Sequence, residues 1–220
     1  MRNADTGSLK AGLKTAMLAA LALCAGLIGT AQAQTVAALP APFPAVSAGL
    51  TPGAEARPIL AWTDFCRANP AECGFDRSEP ARIALTPAIW NTIVSVNRRV
   101  NRQIRPVTDQ EHWGRPDLWD LAQDGSGDCE DFQLLKRRLL AEAGLPRRAM
   151  RMTVVIDEKG EGHAVLTLLT DRGDYVLDNK TSAVTAWHET GYVFIKREGQ
   201  DALAWVSLGG ASSPITTANR

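Results

Sequence analysis

The hydrophobic period of the chain changes once, near residue 146, and that change sets the fold class. Upstream, Trp90, Ile93, Val94, Val100 and Ile104 recur at helical spacing. Thr86-Pro87 precedes them as an N-cap and first-turn pair, and Arg98, Arg99 and Arg102 fall largely on the other faces. Asn97 and Asn101 interrupt this pattern. A second helix is predicted from about 130 to 143, with Phe132, Leu135, Leu139 and Ala143 as its apolar stripe and Gly144 and Pro146 as its stop. Downstream, 150–156, 163–170, 174–177 and 192–196 are short runs rich in β-branched and apolar residues. Asp157-Glu-Lys-Gly160 and Asp171-Arg-Gly173 are turn signals between them, which favours antiparallel hairpins. Helices followed by an antiparallel sheet make an α+β fold.

Both ends of the chain differ from this body. Arg2, Lys10 and Lys14 are followed by an apolar run from Thr15 to Ile28 and then by Ala31-Gln32-Ala33, the small-x-small pattern of a signal-peptidase site. Residues 1–33 therefore read as a secretory signal peptide; the alternative is a retained anchor, for which the apolar run is short. Residues 34–58 carry Pro40, Pro42, Pro44, Pro52 and Pro58 and read as a flexible lead-in, and 209–220 as a loose tail. A single domain over 59–208 remains, with no membrane span in the mature chain. A formal net charge of +0 gives no electrostatic footprint for nucleic acid. The six tryptophans read as core and groove-wall residues.

Removal of the signal leaves Cys66, Cys73 and Cys129. In an oxidising compartment the first two are close enough in sequence to bridge; two free buried thiols are the alternative. Either way Cys129 is left over.

Cys129 stands where the glycine-rich loop Gly125-Ser-Gly-Asp128 meets a helix. Unpaired N–H groups and the positive end of the dipole favour a thiolate there and can hold an oxyanion. Asp128, Glu130 and Asp131 oppose this, which calls for an imidazolium partner or a bound cation; the plainer reading makes these acids helix-start charges. His163 opens one strand and Asp178 ends the next, so a hairpin would set them side by side, the carboxylate orienting the imidazole. His112 and His188 have less framing. Gly125-Ser-Gly127 is not followed by the Gly-Lys-Ser/Thr of a phosphate loop.

Gly-Asp-Cys129-Glu-Asp-Phe, Gly-His163-Ala-Val-Leu and Val-Leu-Asp178-Asn179 resemble three blocks of the bacterial transglutaminase-like cysteine peptidases, the LapG-like periplasmic proteases. Phe65-Cys66, Glu72-Cys73, the stretch Val96 to Ile104 and His112-Trp113-Gly114 are similar to the same family, so the resemblance covers about 60–208. It implies a papain/transglutaminase-like core with N-terminal helices packed on the sheet, and a periplasmic endopeptidase with Cys129, His163 and Asp178 as its triad. It further implies a large surface adhesin as substrate, an inner-membrane cyclic-di-GMP receptor as regulator, and calcium held by the acids flanking the nucleophile, which map onto Asp128 and Glu130. Asp171 and Asp174 are weaker candidates for further ligands. Two other functions share the scaffold: a transglutaminase-type acyl transferase and a non-catalytic periplasmic binding module.

Overall fold

The computed structural model describes residues 41–212 apart from Phe75. The predicted signal peptide, the first residues of the lead-in and the end of the tail lie outside the described residues. The elements run β1 (Glu55–Ala56), α1 (Leu60–Ala68), α2 (Pro70–Cys73), α3 (Pro87–Gln103), β2 (Arg105–Pro106), α4 (Asp109–Trp113), β3 (Ser126–Gly127), α5 (Cys129–Glu142), β4 (Met150–Ile156), β5 (Gly162–Thr170), β6 (Gly173–Leu177), β7 (Thr185–Ala186), β8 (Val193–Glu198) and β9 (Trp205–Ser212). Seven strands form one sheet in the order β1-β9-β8-β4-β5-β6-β7, and each neighbouring pair is antiparallel. The architecture is α+β, as the change of period predicts.

α3 starts where expected: the Thr86 hydroxyl accepts the Ile89 amide at 3.2 Å, and Pro87 takes the first helical position, where no N–H is needed. α5 packs against β5, β4 and α3. Phe132, Leu134 and Leu140 on α5 meet Leu166 and Leu168 on β5 and Met150 and Met152 on β4. Each such side chain contributes about 1.5–3 kcal/mol through its burial. The alternate residues of the strands, Val155, Val165 and Val176, point to a second cluster with Leu50, Tyr192, Phe194 and Leu208. The sheet is thus covered on both faces, which is why β5 reads as a nearly continuous apolar run.

That second cluster also takes in part of the lead-in read from the sequence over 34–58, of which 41–58 are described. Leu50 is buried in it. The segment is tied down through its backbone: Trp90 Nε1 donates to the Pro42 carbonyl at 2.8 Å, Ser47 N to the Arg172 carbonyl at 2.8 Å and Leu50 N to Asp174 Oδ2 at 2.9 Å. A Cβ on Gly173 would stand 2.6 Å from the Ser47 carbonyl, so only glycine allows the segment to lie so close. Of the expected loose tail over 209–220, residues 209–212 belong to β9, which pairs with β8. Cys66 and Cys73 are bridged and join α1 to α2.

No helix among the described residues is long and apolar enough to cross a membrane.

Candidate active site

α5 begins at Cys129 because the preceding loop is fixed from two sides. β3 pairs in parallel with β2, and Arg105 N and Val107 N donate to the carbonyls of Gly125 and Gly127. From the helix, the Asp131 carboxylate folds back to accept Asp128 N at 3.2 Å and Asp120 N at 2.7 Å. A Cβ on Gly127 would lie 2.7 Å from that carboxylate, which accounts for glycine there.

Cys129 is the one free cysteine among the described residues and is partly buried. Its Sγ accepts the amide of Ala164, the residue after His163, at 3.4 Å. The β5–β6 pairing begins only at Leu166 and Leu177, so at Ala164 strand β6 has already turned away and leaves room for the sulfur. His163 Nε2 lies 2.9 Å from Asp178 Oδ1, and both side chains are buried. The structure therefore brings the three predicted residues to one end of β5, on α5, β5 and the exit of β6. With Nε2 engaged by the carboxylate, Nδ1 is the ring nitrogen left for other chemistry.

Three donors surround Asp178: His163, the Lys180 amide at 2.9 Å to Oδ1, and the Tyr192 hydroxyl at 2.6 Å to Oδ2. Burial pushes its acidity down, but these donors and the His163 charge outweigh burial and hold the carboxyl below the usual range. The segment that comes after it is hung from α3. Asn101 Nδ2 donates to the carbonyls of Asp178 and Thr181, and Asn97 Nδ2 to those of Thr181 and Ala183. The two asparagines that interrupt the stripe of α3 are thus the residues that fix the exit of β6.

The other two histidines are engaged elsewhere, His112 with Asp124 and His188 with Ser47.

The sulfur itself sits among acids. Its thiol donates to Glu130 Oε2 at 3.1 Å, and burial together with the charges of Glu130 and Asp128 pushes its pKa well up. Burial and Asp128 raise Glu130 to about 9, and burial is the main cause that raises Asp131 to about 8. Asp109, Asp117 and Asp128 are also shifted upward, mainly by burial. These acids oppose the thiolate that the helix start favours.

Ligand atoms of Asp109, Asp117 and Glu130, and of Asp109, Asp128 and Asp131, lie within 4.8 Å of one another. Asp109 Oδ1 and Asp128 Oδ1 are buried with no hydrogen-bond partner among the described residues. Hard oxygen donors, crowded like charges and orphaned oxygens fit a divalent cation of the calcium type. These groups include Asp128 and Glu130, the acids flanking Cys129, together with Asp109 on α4 and Asp117 in the loop after it, which the sequence did not single out. Asp171 and Asp174 serve other purposes: Asp171 accepts the Leu85 amide and Asp174 pairs with Arg197.

Residues 52–213 match the model of the bacterial transglutaminase-like cysteine proteinases (BTLCP). The chain belongs to this family. It is accordingly a transglutaminase-like cysteine peptidase. Among solved structures it is similar to Legionella pneumophila LapG in a calcium-bound form, with 23% identity and a TM-score of 0.44 over 59% of this chain and 81% of that one. An EGTA-treated form of the same protein gives 24% identity and a TM-score of 0.43 over 55% of this chain and 75% of that one. No curated protein matches the sequence.

Proposed function

We propose that this member of the family is an exported endopeptidase in which Cys129 is the nucleophile, His163 the general acid–base and Asp178 the residue that orients the imidazole. The observation that carries this is the free Cys129 sulfur, 3.4 Å from the amide next to a buried His163–Asp178 pair. His163 Nδ1 accepts the thiol proton. The sulfur then attacks the peptide carbonyl, forming a thioester as the C–N bond breaks, and the imidazolium delivers its proton to the leaving amine. Water hydrolyses the thioester with His163 as base. The first N–H groups of α5, which a helix cannot satisfy internally, receive the oxyanion.

Asp109, Asp117, Asp128 and Glu130 would hold calcium. The ion would supply the positive charge that lets these carboxylates ionise beside the sulfur. Export to the periplasm is supported by the leader-like segment 1–33 and by the Cys66–Cys73 bridge, which suits an oxidising compartment. A surface adhesin as substrate and a cyclic-di-GMP receptor as regulator rest on the sequence resemblance alone.

The test is product analysis on a protein substrate with the wild-type chain and Cys129→Ala. New peptide amines from the wild type and none from the variant, which still folds, are expected. An isopeptide crosslink in place of a new amine would make the chain an acyl transferase instead.

A further inference from the structure

Tyr192 comes directly after Gly191, whose φ of +81° turns the chain just before β8, and its ring enters the second core cluster beside Val176 and Phe194. It is 6% exposed. Two contacts aim it at the proposed triad: its hydroxyl meets Asp178 Oδ2 at 2.6 Å, and its ring stands edge-to-face with His163 at 5.8 Å between centroids and an angle of 81°. Facing a carboxylate, the phenol can only donate. Burial and the Asp178 charge both raise its own pKa, so it keeps its proton.

We propose that Tyr192 is a positioning residue for the reaction, fixing the Asp178 carboxylate so that Oδ1 stays on Nε2 of His163 and Nδ1 is left for the thiol. This rests on the triad reading above. A carboxylate bonded at one oxygen only can swing about its last torsion and carry the imidazole with it; a donor on the second oxygen removes that freedom. The geometry of His163 is thereby set by the sheet on two sides, through β6 and through the start of β8.

The test uses the full chain with Tyr192→Phe, which deletes the hydroxyl and keeps the ring. Steady-state constants on a peptide substrate are measured as pH is lowered. The groups facing Asp178 are His163 on β5, Lys136 on α5, Lys180 in the loop after β6, and Tyr192, which itself feels Asp157 and Glu158 from the β4–β5 turn. Removing a donor from a carboxylate makes it easier to protonate, so the acid limb of the profile moves to higher pH. A fall in kcat of about tenfold with KM within about twofold is expected, as for loss of orientation without loss of binding. Phe194→Leu is the control: it disturbs the same cluster and lowers the melting temperature but leaves the limb in place. If Tyr192→Phe does not fold, 3-fluorotyrosine introduced at 192, a stronger donor, must move the limb to lower pH. An unmoved limb in the folded variant, or with fluorotyrosine, while Cys129→Ala is inactive, overturns the inference. Cleavage surviving in Cys129→Ala overturns the triad reading instead.

Discussion

Asp178 and Glu130 are both buried carboxylates near Cys129, yet their surroundings are built in opposite ways. Asp178 accepts from His163, Lys180 and Tyr192 and is held below the ordinary range. Glu130 meets Asp128 and the Cys129 thiol and is pushed up to about 9. Protein groups alone complete the first site. The second is complete only when protons or a cation balance its charge. On the proposed function, the first corner serves a proton relay and the second would take up a cation.

Breaking the completed corner has the largest expected effect. Asp178→Asn keeps a hydrogen bond but favours the wrong imidazole tautomer, so kcat should fall by about 10⁴-fold while the melting temperature changes little. A variant within about tenfold of wild type in steady-state assays would remove Asp178 from the mechanism.

The open corner is sharpened by supplying or withholding calcium. On the proposed calcium site, a hundredfold excess of the ion over Kd should stabilise the chain by about 2.7 kcal/mol, or roughly 5–10 °C in Tm. Glu130→Gln should lose most of that gain. Without calcium it should melt above the wild type, since it removes one member of a crowded set of acids. A chelator that leaves wild-type Tm unchanged in scanning calorimetry would end the metal assignment.

The smallest effect concerns Lys136, which is fully buried on α5 with no hydrogen-bond partner for Nζ among the described residues. Burial lowers its pKa from 10.5 to about 7, against the pull of Asp178. Between those values the unfolded chain binds more protons than the folded one, so this lysine makes stability rise with pH across that window. Lys136→Met should raise Tm at neutral pH by a few degrees and flatten the rise. Thermal melts at a series of pH values would show it, and an unchanged slope would contradict it.

The features legible in the sequence share one property: their signal is local. Thr86-Pro87 caps α3 from adjacent positions, and the turn residues after Ile156 and Thr170 foretell the β4–β5–β6 hairpins. Cys129 stood out because its two companions could bridge. Tyr192, Asp109 and Asp117 left no such trace. They come from the start of β8, a five-residue helix and a loop, and they reach the site only through the packing of the whole chain. The contacts of the lead-in left no trace because Pro42, Ser47 and Leu50 are held through backbone atoms, and Trp90, Arg172 and Asp174, which hold them, lie far along the chain. Asn97 and Asn101 looked like faults in a helix stripe. Their side chains in fact carry the loop that places Asp178.

Acid quenching during turnover, with peptide mapping of the quenched protein, tests most directly whether Cys129 is the nucleophile. An acyl group in thioester linkage on the fragment that contains residue 129, lost again on hydrolysis, is the predicted result. Acyl mass on any other side chain, or turnover with no acylated fragment even when deacylation is slowed, would contradict it.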